Sequence, residues 1–224
     1  MLAWDIETMG LDSAVDLITV AAVYDADTGI NRVFRFVHNP DASPGGVRYH
    51  DDARDTIEEF LCMLDTADSL TTFNGVQFDI PFVQVQFNVP EPRVRAWLLK
   101  TYDIFEFCRR VFDRSFGLNV LLKLNGFDVK SGTGTQAIVY AQQAKWFELE
   151  SYCADDAKLT WDVAQKSSVV IPEAVSFRKR TGHDYDPMNF LTLHVDHSQR
   201  DAPRFSHVFG NNLFCGDGEG VAAG

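Results

Sequence analysis

The sequence contains few cysteines, and none of them lies in a close pair. Cys62, Cys108, Cys153 and Cys215 are scattered along the 224 residues without any C-x-x-C spacing. A zinc knuckle needs closely spaced cysteine pairs, and a disulfide framework is typical of short secreted domains. Neither class of protein fits this pattern, so we expect reduced, partly buried thiols.

Long apolar runs are also absent from the sequence. No stretch approaches the roughly 20 consecutive apolar residues that a transmembrane helix requires. The N-terminus does not carry a basic segment followed by an apolar one, as a secretory signal would. We therefore expect a soluble, intracellular, cytoplasmic protein with no membrane partner.

Positive charge is scarce, because 20 lysines and arginines face 32 aspartates and glutamates, for a net charge of −12. A broad basic surface that grips duplex nucleic acid by phosphate neutralisation is therefore not expected. The net charge does not exclude an enzyme that acts on nucleic acid, because a site that handles a few nucleotides at a strand end needs few basic residues. Metal-binding carboxylates would account for part of the excess acid, and so would a high-salt environment.

Hydrophobic residues make up 46% of the chain, which is enough for one sizeable core. Alternating or β-branched apolar runs predict strands at residues 2–7, 17–24, 32–37, 69–73 and 100–104. Helical spacing predicts helices at 53–65, 76–87, 94–99, 105–112 and 118–124, and the helical signal resumes at Gln136 and is strongest over 145–165. This order indicates one α/β domain over residues 1–170, with a mixed five-stranded sheet flanked by helices. Residues 171–224 show little periodicity and are predicted to form a loosely structured extension of unknown role.

Two acids stand at the end of the first predicted strand. The period of two in a strand puts Asp5 and Glu7 on one face, and Trp4 and Ile6 on the other. Two converging carboxylates require a proton or a counter-ion if they are buried, and a divalent cation would supply one. Alternatively, the strand ends at the surface and both acids are solvated.

Further candidate residues lie in two distant segments. Asp79 ends the pattern N-x-x-x-F-D that begins at Asn74, although it also fits a plain acid at the start of a helix. Tyr152 and Asp156 are four residues apart in the last predicted helix and share a face, while Asp155 is expected to be solvated. They lie beside an apolar stripe made of Trp146, Leu149, Cys153, Ala157, Thr160 and Ala164.

Together, the patterns D-x-E, N-x-x-x-F-D and Y-x-x-x-D, in this order, resemble the three motifs of the DEDD superfamily of 3′-5′ exonucleases. These enzymes are also called DnaQ-like and have an RNase H-like fold. The tyrosine variant, DEDDy, is the closer match, as in the proofreading domains of B-family DNA polymerases and related stand-alone predicted exonucleases. The DEDDh variant would have a histidine where this chain has Ser151. The resemblance covers residues 1 to about 168.

The resemblance implies a site with two Mg²⁺ or Mn²⁺ ions, about 3.5–4 Å apart, flanking the scissile phosphate. The implied ligands are Asp5, Glu7, Asp79 and Asp156, because hard cations prefer oxygen donors. Tyr152 would orient the attacking water, since a phenol with a pKa near 10 is a poor base. Other expected roles are contact with the terminal nucleotide for Thr8, contact with the substrate strand for Asn74, and support behind the ligands for Asp103.

The implied substrate is the 3′ end of single-stranded DNA or RNA, with DNA favoured. Aromatic side chains can stack on unpaired bases, and the acidic composition offers little hold on a duplex. Two alternatives remain: a catalytically inactive RNase H-like module that binds or scaffolds, and a metal-dependent endonuclease on the same fold. An endonuclease would not need Tyr152 four residues before the last acid.

Overall fold

A central mixed sheet organises the fold in the computed structural model, which describes residues 1–38, 49–51, 53–112, 116–127, 134–166, 168–172 and 190–194. The strands are β1 (Leu2–Thr8), β2 (Ile18–Asp25), β3 (Ile30–Arg35), β4 (Leu70–Thr72) and β5 (Thr101–Asp103). Their spatial order is β3-β2-β1-β4-β5. The pairs β1–β2 and β2–β3 are antiparallel, whereas β1–β4 and β4–β5 are parallel. The predicted α/β fold with a mixed five-stranded sheet is confirmed.

Helices cover the sheet, as the sequence predicts. They are α1 (Ala53–Thr66), α2 (Asp79–Gln86), α3 (Glu91–Leu99), α4 (Ile104–Phe112), α5 (Leu118–Leu124), α6 (Gly134–Gln142) and α7 (Trp146–Ala164). The longest of these, α7, packs across β1 and β2. Its position decides which side chains can reach the end of β1.

The two faces of the sheet carry different parts of the core, because side chains alternate along each strand. Trp4 and Ile6 of β1 pack with Phe60 of α1 on one face. On the other face, small β2 residues pack against the apolar stripe of α7; this group comprises Val20, Ala22, Ala137, Leu149, Cys153 and Ala157. The face of β1 that carries Asp5 and Glu7 is therefore the face that α7 covers.

Helix α2 begins later than the predicted residue 76, since the preceding residues form a turn. The backbone N–H groups of Gln77 and Phe78 both donate to the carbonyl of Asn74, which has a positive φ of 67°. Gly75 is required there, because a Cβ atom would lie 2.6 Å from the Thr72 side chain. The result is a sharp reversal between β4 and α2.

A second, two-stranded sheet follows α7. It pairs β6 (Ser168–Pro172) with β7 (Phe190–His194) in antiparallel fashion. The Asn125 side chain bonds the backbone of Val170 twice, at 2.8 Å through its amide nitrogen and 2.8 Å through its oxygen. The predicted domain end near residue 170 thus falls within β6. Residues 173–189 and 195–224 of the predicted extension lie outside the described residues, so the loose structure expected for it stays a prediction.

Candidate metal centre

The end of β1 presents two carboxylates on the face covered by α7. Trp4 and Ile6 are buried in the opposite core, while Asp5 and Glu7 are half-buried. Parallel strands β1, β4 and β5 all end at this edge of the sheet, where α/β proteins commonly place their sites. The predicted alternation therefore places both acids at the edge of the sheet where an active site is commonly found.

Helix α7 adds a third carboxylate from the other end of the chain. Each of Asp5, Glu7 and Asp156 offers an oxygen, and these oxygens lie within 4.8 Å of one another. Asp156 reaches this position because its neighbours Cys153 and Ala157 are fully buried against the sheet. Asp155 is exposed, as predicted. Three of the four predicted metal ligands thus meet in one group.

The carboxylates disfavour one another's ionisation. Burial raises the pKa of Asp5 well above its ordinary value, and the charges of Asp79, Glu7 and Asp156 raise it further. Like charges in a partly desolvated site are relieved by a proton or by a cation. A group of carboxylate oxygens is the donor set that Mg²⁺ and Mn²⁺ prefer, so the residues present fit such an ion.

The fourth predicted ligand, Asp79, lies beside this group without belonging to it. Its side chain is 3% exposed, and its Oδ1 accepts a hydrogen bond of 3.0 Å from the backbone N–H of Ile6. Burial, and then the charge of Asp103, raise the pKa of Asp79 to about 7. The bond to Ile6 fixes the start of α2 against β1, next to Asp5.

Asp103 is buried behind Asp79 and holds the segment that leads to it. Its Oδ1 accepts N–H bonds from Asn74 and Glu106, and its Oδ2 accepts one from Val76, at 2.9–3.0 Å. The bond to Glu106 makes Asp103 the N-terminal cap of α4. One carboxylate therefore joins the end of β5, the start of α4 and the turn before α2.

Tyr152 lies one helical turn before Asp156 and is half-buried beside the carboxylates. A side-chain hydrogen bond joins the two residues. Burial, followed by the charges of Asp156, Glu7 and Asp5, raises the pKa of the Tyr152 phenol. In the metal-free site the hydroxyl therefore keeps its proton at neutral pH, and it can donate a hydrogen bond.

The two predicted substrate contacts lie at the borders of the site. Thr8 is buried just after a register shift at the end of β1, and its hydroxyl donates to the Gly10 carbonyl at 2.5 Å. Asn74 is half-buried in the turn before α2, where its backbone N–H donates to Asp103. Neither residue belongs to the group of three carboxylates, so their contact with a nucleotide stays a prediction.

Sequence reasoning missed two residues near the site. Cys153 was predicted only as part of the apolar stripe, yet its Sγ lies 3.5 Å from the Asp5 carbonyl oxygen and 3.8 Å from Asp5 Oδ2. Glu106 is 2% exposed and pairs with Arg109. The D-x-x-E spacing of Asp103 and Glu106 is typical of a helix start. It could have indicated that the Glu106 backbone N–H donates to the Asp103 carboxylate.

Fold and carboxylate group together define a nuclease-type α/β domain. A family model described as the RNase H superfamily matches residues 2–167. The chain belongs to the RNase H superfamily, as its motifs predict. No curated protein matches it significantly.

Among solved structures, the chain is similar to the family B DNA polymerase from the hyperthermophilic archaeon Pyrobaculum calidifontis. The two are 20% identical with a TM-score of 0.55, and the match covers 73% of this chain and 24% of that chain. At this identity the similarity concerns the fold. Within the described residues, no helix is long and apolar enough to cross a membrane.

Proposed function

We propose that this protein is a metal-dependent 3′-5′ exonuclease of the DEDDy type. It would hydrolyse phosphodiester bonds of single-stranded nucleic acid, with DNA favoured, and release nucleoside 5′-monophosphates from the 3′ end. The observation that carries the proposal is the meeting of Asp5, Glu7 and Asp156 within 4.8 Å. Membership of the RNase H superfamily supports a nuclease, and the net charge of −12, which offers little hold on a duplex, supports a single-stranded substrate.

Asp5, Glu7, Asp79 and Asp156 would hold two Mg²⁺ or Mn²⁺ ions. When bound, such ions activate water and stabilise the leaving oxygen of a phosphodiester. Burial, followed by the charges of Asp79, Glu7 and Asp156, raises the pKa of Asp5, so the carboxylates would be stabilised by added positive charge. Asp79 contributes from a rigid position, since its bond to Ile6 ties it to β1.

Tyr152 would orient the attacking water by donating or accepting a hydrogen bond through its hydroxyl. Its raised pKa argues against proton abstraction by a phenolate. The bond to Asp156 keeps the ring in place beside the carboxylates. Thr8 would lie near the terminal nucleotide and Asn74 near the strand, while Asp103 would hold the turn that carries Asn74.

The test uses purified protein with 5′-labelled single-stranded DNA and RNA, in Mg²⁺, Mn²⁺ or EDTA. A ladder that shortens from the 3′ end only with metal, and that disappears in Asp5→Ala, supports the proposal. Asp155→Ala is the matched control, because this exposed carboxylate lies on α7 next to Asp156 and should leave the ladder unchanged.

Substitution of the tyrosine separates the nuclease classes. Tyr152→Phe removes one hydroxyl and should slow exonucleolytic shortening by about 100-fold, the lower end of the range for loss of a positioned catalytic group. Internal cuts that persist in Tyr152→Phe would instead indicate an endonuclease. Binding without any cleavage by the wild type would indicate an inactive module.

A further inference from the structure

Arg109 is held by an acid, Glu106, that is almost fully buried and that also contacts the turn before Asp79. Its Nε donates to Glu106 Oε2 and its Nη2 donates to Glu106 Oε1, each at 2.9 Å. The Glu106 side chain is 3% exposed, whereas the Arg109 side chain is 42% exposed. These two parallel hydrogen bonds use two of the five N–H donors of the guanidinium, and they fix its orientation at the surface.

The same acid ties Arg109 to the turn that precedes Asp79. Gln77 lies in this turn, and its Nε2 donates to Glu106 Oε2 at 3.1 Å. Asp103 Oδ1 accepts from both Asn74 and Glu106, so the turn and the first turn of α4 share one anchor. Arg109 therefore lies on the β5 side of the site, beside the segment expected to meet the substrate strand.

A fixed cation is physically valuable at this border. The site gathers carboxylates in a chain of net charge −12, and both features oppose the approach of a polyanion. The planar guanidinium matches phosphate geometry and stays charged at any working pH. A preorganised arginine also loses little side-chain freedom on binding, because Glu106 already holds it.

We propose that Arg109 binds a backbone phosphate of the single-stranded substrate, at the side of the site formed by β5 and α4. Glu106 orients the guanidinium, and Gln77 couples this orientation to the turn before Asp79. The inference rests on the proposed nuclease function, to which it adds a binding residue that contacts the strand away from the metal ligands.

The competing explanation is that Arg109 only neutralises the buried Glu106. Binding measurements separate the two, because a structural pair has no reason to change the salt dependence of nucleic-acid affinity. The 224-residue chain is titrated with fluorescein-labelled oligo(dT) in EDTA, which prevents cleavage, at several salt concentrations. Arg54→Gln is the matched control, since Arg54 is exposed on α1, which packs on the opposite sheet face.

Arg109→Gln is expected to raise the Kd about tenfold and to reduce the slope of log K against log salt by about 0.7, the contribution of one phosphate contact on a single strand. Arg54→Gln should leave the slope unchanged. Because Arg109→Gln removes the positive charge opposite the buried Glu106 carboxylate, the double variant Glu106→Gln/Arg109→Gln is measured as well, and it should lose affinity to the same extent. Arg109→Lys keeps a charge opposite Glu106 and should retain the salt slope.

Wild-type affinity and slope in folded Arg109→Gln and in the double variant would overturn the inference. Failure of the proposed function is distinguishable from this result. A wild type that binds oligo(dT) but shortens neither DNA nor RNA with Mg²⁺ or Mn²⁺ refutes the exonuclease and leaves the role of Arg109 intact. A wild type that cleaves, with Arg109 variants that bind equally well, refutes only the role of Arg109.

Discussion

Replacing Asp79 with asparagine is expected to stabilise the metal-free protein at pH 8. Burial raises the pKa of Asp79 from 3.8 to about 7, so the folded state favours the neutral acid. At 1.36 kcal/mol for each tenfold change in acidity, ionising the buried carboxylate costs about 4 kcal/mol. Asparagine keeps an oxygen for the Ile6 N–H, but its buried amide N–H groups cost about 1–3 kcal/mol if they lack partners.

The net gain for Asp79→Asn is therefore about 1–3 kcal/mol, or roughly 2–12 °C in melting temperature for a chain of this size. The sign depends on pH. An acid with a raised folded pKa supports folding fully below its unfolded pKa, and that support is lost as the pH rises from about 4 through about 7. The gain should thus be largest at pH 8 and smaller at pH 5.

Thermal or urea unfolding in EDTA at the two pH values measures this difference. Asp155→Asn serves as the control, and it should stay within about 0.5 kcal/mol of the wild type at both pH values because the residue is exposed. If Asp79→Asn destabilises the protein equally at pH 5 and pH 8, the raised pKa inferred for Asp79 is wrong.

Two further substitutions test the supports of the site. Asp103→Ala should lower the free energy of unfolding by about 3 kcal/mol or more, because three N–H groups lose their acceptor; a change below about 1 kcal/mol in urea unfolding would contradict the anchoring role. Cys153→Ala should weaken Mn²⁺ binding about threefold to tenfold, since the thiol is a weak donor to Asp5, and Cys153→Ser should restore it. Equal Mn²⁺ affinity in both cysteine variants would show that the thiol only fills space.

Local periodicity predicted the parts of the site that lie on regular elements. Alternation along β1 places Asp5 and Glu7 together, and the stripe on α7 places Asp156 beside them, because a buried face leaves its neighbours at the border of the core. The order of strands and helices likewise predicted the α/β fold.

Sequence periodicity could not predict contacts between segments that are distant in the chain. The turn before α2 forms because Asp103, about 30 residues later, accepts its N–H groups, and a helical pattern alone cannot indicate this. The separation of Asp79 from the group of three carboxylates follows from its bond to Ile6, which is 73 residues away. Cys153 fits an apolar stripe by residue type, so only its position against Asp5 indicates a polar contact.

The central claim is that carboxylates from opposite ends of the chain bind divalent cations together. The most direct test is calorimetric titration of the purified 224-residue chain with Mn²⁺. The wild type is compared with Asp5→Asn, Asp156→Asn and Asp155→Asn. The account predicts saturable binding in the wild type and in Asp155→Asn, with marked loss in both Asp5→Asn and Asp156→Asn. Absence of binding in the wild type, or unchanged binding in Asp156→Asn, would contradict it.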